Sequence, residues 1–213
     1  MVLLNRFGRT RDLSIQSYDF IDVSTGQAFV VYYGSDCSDG TYLMLIDQVY
    51  SENKYTRADI TSGNYTKLID IDFDIYFKFP KIIEGTTVVN VPFNIYCDAN
   101  NQVWGKCRAV IKRVNLDSTE ENLVTTSYST ELTRTSTGDS SQMMALKATI
   151  PRTKIKGGEY LRLTIEGWGK QAGGTCKVSV GHDPKNREVT SLFDSSNDVP
   201  TILMFPVPFV VDV

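Results

Sequence analysis

Hydrophobic residues in this chain recur at every second position far more often than at every third or fourth. The clearest stretch runs from Leu68 to Phe79. Ile69, Ile71, Phe73, Ile75, Phe77 and Phe79 share one parity, and Asp70, Asp72, Asp74, Tyr76 and Lys78 share the other. Strand side chains change face at each residue, so this stretch has one apolar face and one wet face. A parallel sheet covered on both sides would be apolar on both parities. The alternation therefore predicts an antiparallel sheet with a solvent side.

Weaker copies of the pattern recur between clusters of Gly, Asn, Asp and Ser, which mark turns. They fall at Gln27–Tyr33, Thr41–Gln48, Thr87–Tyr96, Val103–Leu116, Asn122–Thr135, Met143–Ile150, Glu159–Trp168, Thr175–Val180 and Thr201–Val211. Pro92 inside one of them predicts an edge position or a bulge. In Val103–Leu116 the apolar parity runs 103, 107, 109, 111 and then shifts to 114 and 116, which predicts a β-bulge near Lys112. Pro151 is expected to end the strand before it. Ser118–Leu123 and Ser140–Leu146 are the two places where a helical turn fits. The count is eight to ten strands, and the fold class is all-β: an antiparallel β-sandwich of jelly-roll type. An immunoglobulin-like arrangement is the runner-up, without the Cys–Trp–Cys spacing of that fold.

The organisation reads as an N-terminal arm over residues 1–14 followed by a single sandwich domain over 15–213, with a cut near 80–86 as the alternative. The arm interleaves Arg6, Arg9 and Arg11 with Val2, Leu3, Leu4, Phe7 and Leu13. Its apolar run is too short for a secretory leader, and no stretch approaches the length of a membrane span. The chain ends in TILMFPVPFVVDV, apolar on both parities. Two readings stand for this end: a buried last strand of the core, or a strand covered by a neighbouring subunit. Leu3, Arg6, Phe7, Arg9, Phe205 and Phe209 are the contact candidates at the two ends.

Composition removes function classes rather than adding them. The net charge is −3 and the basic residues are scattered, so nucleic acid is not the expected partner. The local exception is Lys106, Arg108, Lys112 and Arg113. One histidine, His182, and four cysteines without C-x-x-C spacing leave no zinc pattern. Cys97 and Cys107 flank the turn-like DANNQ, and a hairpin there would place them opposite each other. Asp70, Asp72 and Asp74 are spaced about 7 Å apart along one strand face, a distance that suits paired catalytic carboxylates. Their regular alternation fits a solvated sheet face better. His182 lies beside Asp183, but no nucleophile elbow or second histidine accompanies it. No enzyme, cofactor or metal is expected.

Trp104 and Trp168 each sit against glycines, in VWG and EGWGK. By parity Trp104 points away from Cys107, Ala109 and Ile111. An aromatic platform of this kind serves protein interfaces or stacks on sugars.

The C-terminal half carries IPRTKIKGGEYLRLTIEGWGK at 150–170, GHDPKNRE at 181–188 and FPVPFVVDV at 205–213. Together these resemble jelly-roll structural proteins encoded near capsid genes in tailed phages, including capsid decoration (cement) proteins. The matching residues are Gly158 to Leu163, His182 to Pro184, and Pro208 to Asp212. The resemblance implies a virion structural protein made in the host cytoplasm, homo-oligomeric (a trimer is one form) and bound non-covalently to capsid or other virion proteins. The alternative is a carbohydrate- or receptor-binding sandwich module.

Overall fold

The structure, a computed structural model, describes residues 26–98, 101–185, 187 and 201–210. Twelve strands account for most of them: β1 (Gln27–Asp36), β2 (Tyr42–Leu45), β3 (Tyr55–Ile60), β4 (Thr66–Tyr76), β5 (Lys81–Cys97), β6 (Val103–Val114), β7 (Glu120–Thr125), β8 (Leu132–Arg134), β9 (Gly138–Ile155), β10 (Tyr160–Gln171), β11 (Cys176–Gly181) and β12 (Met204–Val210). The fold is all-β and jelly-roll-like, with no helix among the described residues.

Two layers are built around the two long central strands. β5 pairs with β9 along one edge; β11 and β12 share its other edge, β11 carrying β3 and β12 carrying β1 and then β2. In the second layer β10 lies between β4 and β6, and β7 and β8 share the far edge of β6. All these pairings are antiparallel. A single parallel bridge, Leu43 to Asp74, joins β2 to β4 and makes the layers continuous at one corner. The interior is filled by the apolar parities of both layers, with Phe73, Phe93, Phe205, Ile75, Ile95 and Ile111 fully buried. Each such side chain contributes about 1.5–3 kcal/mol relative to exposure.

The strand count rises to twelve for two reasons. Among the described residues β3 is an edge strand with one neighbour, β11, and its half-buried residues give little alternation to read. The polar stretch 122–135 divides into β7 and β8, which use different parts of the same β6 edge.

Neither expected helical turn forms. Residues 140–146 belong to β9, where Met144 and Leu146 are buried and register opposite Val91 and Val89 of β5. Long-range pairing overrides the lack of β-branched residues there. Residues 115–119 make a tight hairpin turn with Ser118 at φ 64°, and Glu120 already starts β7.

Pro151 does not end its strand. Glu84 stands opposite both Pro151 and Arg152, because Ile83 pairs with Thr153 and Gly85 with Ile150. That is a bulge, where a missing N–H is tolerated. The register shift expected near Lys112 lies between Ile111 and Lys112, with Leu123 of β7 as the extra residue. Pro92 sits on β5 where β12 hands over to β11: Asn90 pairs with Met204 and Phe93 with Val180.

The Cys97–Cys107 hairpin is also corrected. β6 pairs with β10 instead of β5, so the two cysteines belong to facing layers, and all four thiols are free.

Candidate functional site: an aromatic and cationic face

The motifs VWG and EGWGK occupy adjacent strands, and their glycines and tryptophans divide between the two faces of one sheet. Gly105 of β6 pairs with Gly169 of β10. Both look inward. A Cβ on Gly105 would lie 2.5 Å from the Ile95 side chain of β5, and one on Gly169 would lie 2.8 Å from Ile60. Only a residue without a side chain lets the layers approach this closely. The neighbours point outward in register: Trp104 opposite Lys170, and Lys106 opposite Trp168.

Two further rings complete this face. Tyr65 precedes β4. Tyr128 lies in the 126–131 segment, which is strapped to the β6 edge by Thr126 N–H to Ala109 O (2.9 Å) and Ser129 N–H to Cys107 O (2.7 Å). Lys106 Nζ rests 4.3 Å from the Tyr65 ring centre and 4.1 Å from that of Tyr128. Lys170 Nζ lies 4.7 Å from both Tyr65 and Trp104. Arg108 lies over Tyr128 and Trp168, whose own rings meet edge to face at 5.8 Å. Cations over aromatic faces gain about 0.5–1 kcal/mol each at exposed sites and keep their full charge.

Glu166 anchors the patch from below and is nearly buried. Its Oε2 accepts from Arg108 Nε (2.5 Å) and Trp168 Nε1 (3.1 Å), and Lys67 Nζ lies 3.6 Å from Oε1. Burial alone would push this carboxyl up, but the Arg108 and Trp168 hydrogen bonds outweigh it and hold it below the ordinary carboxylate range. Burial, and then Glu131, push the Tyr65 phenol up. Tyr65 therefore stays a neutral donor to Glu131. Lys106 and Lys170 form no ion pair among the described residues.

Of the acidic trio, Asp72 and Asp74 lie at the other end of the same face, closed on their own partners, while Asp70 stands opposite Glu166. Arg162 of β10 grips Asp74 with two hydrogen bonds (2.7 and 2.9 Å) and lies 3.2 Å from Asp72 and 2.6 Å from Glu120. Thr164 donates to Asp72, and Lys67 pairs with Asp70. Lys112 and Arg113, from the basic run noted in the sequence, pair with Glu120 and Glu121.

His182 is fully buried against Tyr42 and Phe73, with Nε2 3.1 Å from Thr56 Oγ1. Burial lowers its pKa to about 4, so the ring is neutral. Cys176 lies at the opposite end of β11, about 20 Å along the strand at its usual rise. The turn acids hold backbone: Asp39 Oδ1 accepts from Thr41 N–H in its own turn, and Asp98 Oδ1 accepts from Thr175 N–H of the β10–β11 connection. Among the described residues no three His, Cys, Asp or Glu side chains gather as metal ligands.

Of the residues singled out from the sequence, Trp104 stands in the aromatic face. Phe205 is wholly inside the core, its surroundings supplied by β1 and β5 of the same chain. Phe209 packs edge to face on Phe77 at 5.8 Å and lines a groove of about 520 Å³ that also includes Tyr76 and Phe79, each 63% exposed. Leu3, Arg6, Phe7 and Arg9 lie outside the described residues. Tyr65 and Tyr128 escaped the sequence reading. Each lies in an irregular segment with no alternation to assign a face, and the one available signal was a tyrosine beside a turn.

No protein-family model matches this chain, and no curated protein matches it. Among solved structures it is similar to a CocE/NonD family hydrolase from Staphylococcus aureus. In one structure of that hydrolase the TM-score is 0.53 at 9% identity, over 86% of this chain and 37% of the hydrolase. In a second structure the TM-score is 0.51 at 10% identity, over 87% and 37%. The chain thus spans little more than a third of the length of these proteins, and the likeness is one of fold alone. The VP2 protein of infectious bursal disease virus, as derived T=1 particles, aligns over 97% of this chain and 40% of its own at 11% identity, with a TM-score of 0.35, too loose to argue from. Among the described residues, no helix is long and apolar enough to cross a membrane.

Proposed function

We propose that this chain is a non-catalytic structural sandwich that holds a protein surface through its β6–β10 aromatic face, as a virion subunit of the capsid-decoration kind. The observation that carries the reading is the set of half-exposed rings at Trp104, Trp168, Tyr65 and Tyr128 interleaved with Lys106 and Lys170, which no carboxylate among the described residues neutralises. Aromatic rings and unpaired cations suit a protein surface that presents acidic side chains around an apolar centre. The resemblance of 150–213 to phage structural proteins supports the virion setting. In that role the chain, as a homo-oligomer, adds buried area across neighbouring capsid subunits and stabilises the shell by mass action. The burial and neutrality of the one histidine support a non-catalytic reading.

The test is co-sedimentation with virus particles carrying this gene. The wild-type chain is expected to travel with the particles through a density gradient and to raise their disassembly temperature. A chain that stays at the top of the gradient and leaves particle stability unchanged would sink the proposal.

The same rings favour a second reading, a glycan- or receptor-binding module, because aromatic faces also stack on sugars. Glycan-array binding that disappears in Trp104→Ala, without any particle association, would favour it.

A further inference from the structure

The ladder between β5 and β11 places Cys97 directly opposite Cys176. The hydrogen-bonding phase of that ladder fixes what kind of pair this is. The next residue on each strand makes the inter-strand bond: Asp98 N–H donates to Thr175 O at 3.1 Å. Backbone groups of adjacent residues point to opposite edges, so those of Cys97 point away from β11. Cys97 and Cys176 are therefore a non-hydrogen-bonded pair. Such pairs bring their Cα atoms to about 4.5 Å, with side chains on the same face, within the range a disulfide spans. Both side chains are buried, and Cys176 Sγ lies 3.4 Å from Gly173 O. Cys107 belongs to β6 in the other layer, and Cys37 lies in the β1–β2 turn.

From this register we infer that Cys97 and Cys176 form a cross-strand disulfide site that fastens the β11–β3 pair to β5 when the chain meets a disulfide oxidant such as oxidised glutathione. One thiolate attacks the oxidant's S–S bond, forming a mixed disulfide and releasing one glutathione as its thiol. The second thiolate then displaces the other glutathione. Two S–H bonds are lost, one S–S bond is made, and two electrons pass to the oxidant. Burial, and then the neighbouring Cys97, push the Cys176 thiol up to about 12, so the folded chain reacts slowly. The link is acquired during folding, or when the Ala172–Thr175 turn, with Gly173 and Gly174 at positive φ, opens. Closing so long a loop restricts the unfolded chain strongly.

The experiment is refolding of the full chain from denaturant in oxidised and in reduced glutathione, followed by peptide mapping and thermal unfolding. After oxidised refolding, a Cys97–Cys176 peptide is expected, and the midpoint rises by about 5–10 °C over the reduced form. Cys97→Ser and Cys176→Ser each abolish the shift, and Cys107→Ser keeps it. A Cys97–Cys107 link, or four free thiols after refolding in oxidised glutathione, overturns the inference. Mapping of the wild-type chain decides this even where a serine variant fails to fold.

Discussion

The outer face of the β4–β10–β6 layer has two ends that look alike in sequence and differ in physics. Both alternate charged and apolar positions, and both carry an arginine on an acidic partner. At the Arg162 end every charge is answered across the strands: Asp74 by two hydrogen bonds, Asp72 by Arg162 and Thr164, and Glu120 by Arg162 and Lys112. At the Trp168 end Arg108 is answered by Glu166 and Lys67 by Asp70 and Glu166, while Lys106 and Lys170, without an ion pair among the described residues, rest on rings. A charge paired two strands away belongs to the fold. A cation held over an aromatic face is positioned but keeps its charge for a partner. Stability should therefore concentrate at the first end and recognition at the second.

The largest effect is expected from breaking the aromatic end from beneath. Gly105→Val places atoms where Ile95 and Phe93 already lie, since even a Cβ would come within 2.5 Å of Ile95. Overpacking of this kind costs about 3 kcal/mol. Urea denaturation should show that loss, while Gly157→Ala, which meets nothing within 4 Å, should stay within about 0.5 kcal/mol of wild type. Equal stabilities for the two variants would mean that the glycine pair does not set the layer spacing.

Acid separates the ends from the buried corner beside them. The folded-state pKa of His182 is lowered to about 4 from a reference of 6.5. As pH falls through 6.5 the unfolded chain takes up a proton that the folded chain refuses, so stability drops until the folded ring protonates near pH 4. The loss approaches 3 kcal/mol, at about 1.4 kcal/mol per unit. Glu120 and Glu166 act later. Both are lowered, Glu120 first by its Lys112 hydrogen bond and Glu166 by Arg108 and Trp168 against its burial, so their contributions fade only below the ordinary glutamate range. Stability measured against pH in a foldable His182→Gln variant should be flat between pH 6.5 and 5. A slope equal to that of wild type would assign the effect elsewhere.

Arg162→Leu tests the self-contained end directly. It strands Asp74, which is 8% exposed, without its bidentate partner. Removing one member of a fully buried pair costs about 3–5 kcal/mol, and partial solvent access here reduces that to about 2 kcal/mol. Chemical denaturation checks the value, and Asp74→Asn in the same background should recover part of it. No recovery would mean that packing of the arginine stem, and not its charge, is what the layer uses.

How far these regions were legible depends on which force places them. Alternation placed β4 and β10 to within three residues at each end, because an apolar face against a core leaves a period of two. It could not say which strands pair. Cys97 and Cys107 looked like hairpin partners because local turn chemistry is visible and layer exchange is not. β9 crosses Pro151 by a bulge opposite Glu84, and a bulge is a property of two strands at once. The aromatic face was half legible. Trp104 and Trp168 announced themselves through flanking glycines, whereas Tyr65 and Tyr128 are recruited by the irregular segments 61–65 and 126–131, whose placement is tertiary.

A smaller stability change than that of Arg162→Leu, and the sharpest functional one, should come from Trp168→Ala. The ring touches Tyr128 and Arg108 and donates to Glu166, but Glu166 retains Arg108 and Lys67 when the indole goes. No buried charge is stranded, so the loss in unfolding free energy should be about 1 kcal/mol, less than for Arg162→Leu. If the patch holds a protein surface, a central tryptophan is the kind of residue whose truncation costs about 2 kcal/mol or more of binding, a fall in particle association of over tenfold. Arg162→Leu should do the reverse, losing stability while leaving association intact wherever the chain is folded. Lys170→Glu then separates ring from charge. With Trp104 and Tyr65 still in place, a drop in association that deepens at low salt marks an acidic partner surface, because repulsion between like charges grows as screening falls. Should Trp168→Ala and Lys170→Glu both bind particles as wild type does, the division of labour along this face would be refuted even with the fold and the Arg162 network unchanged.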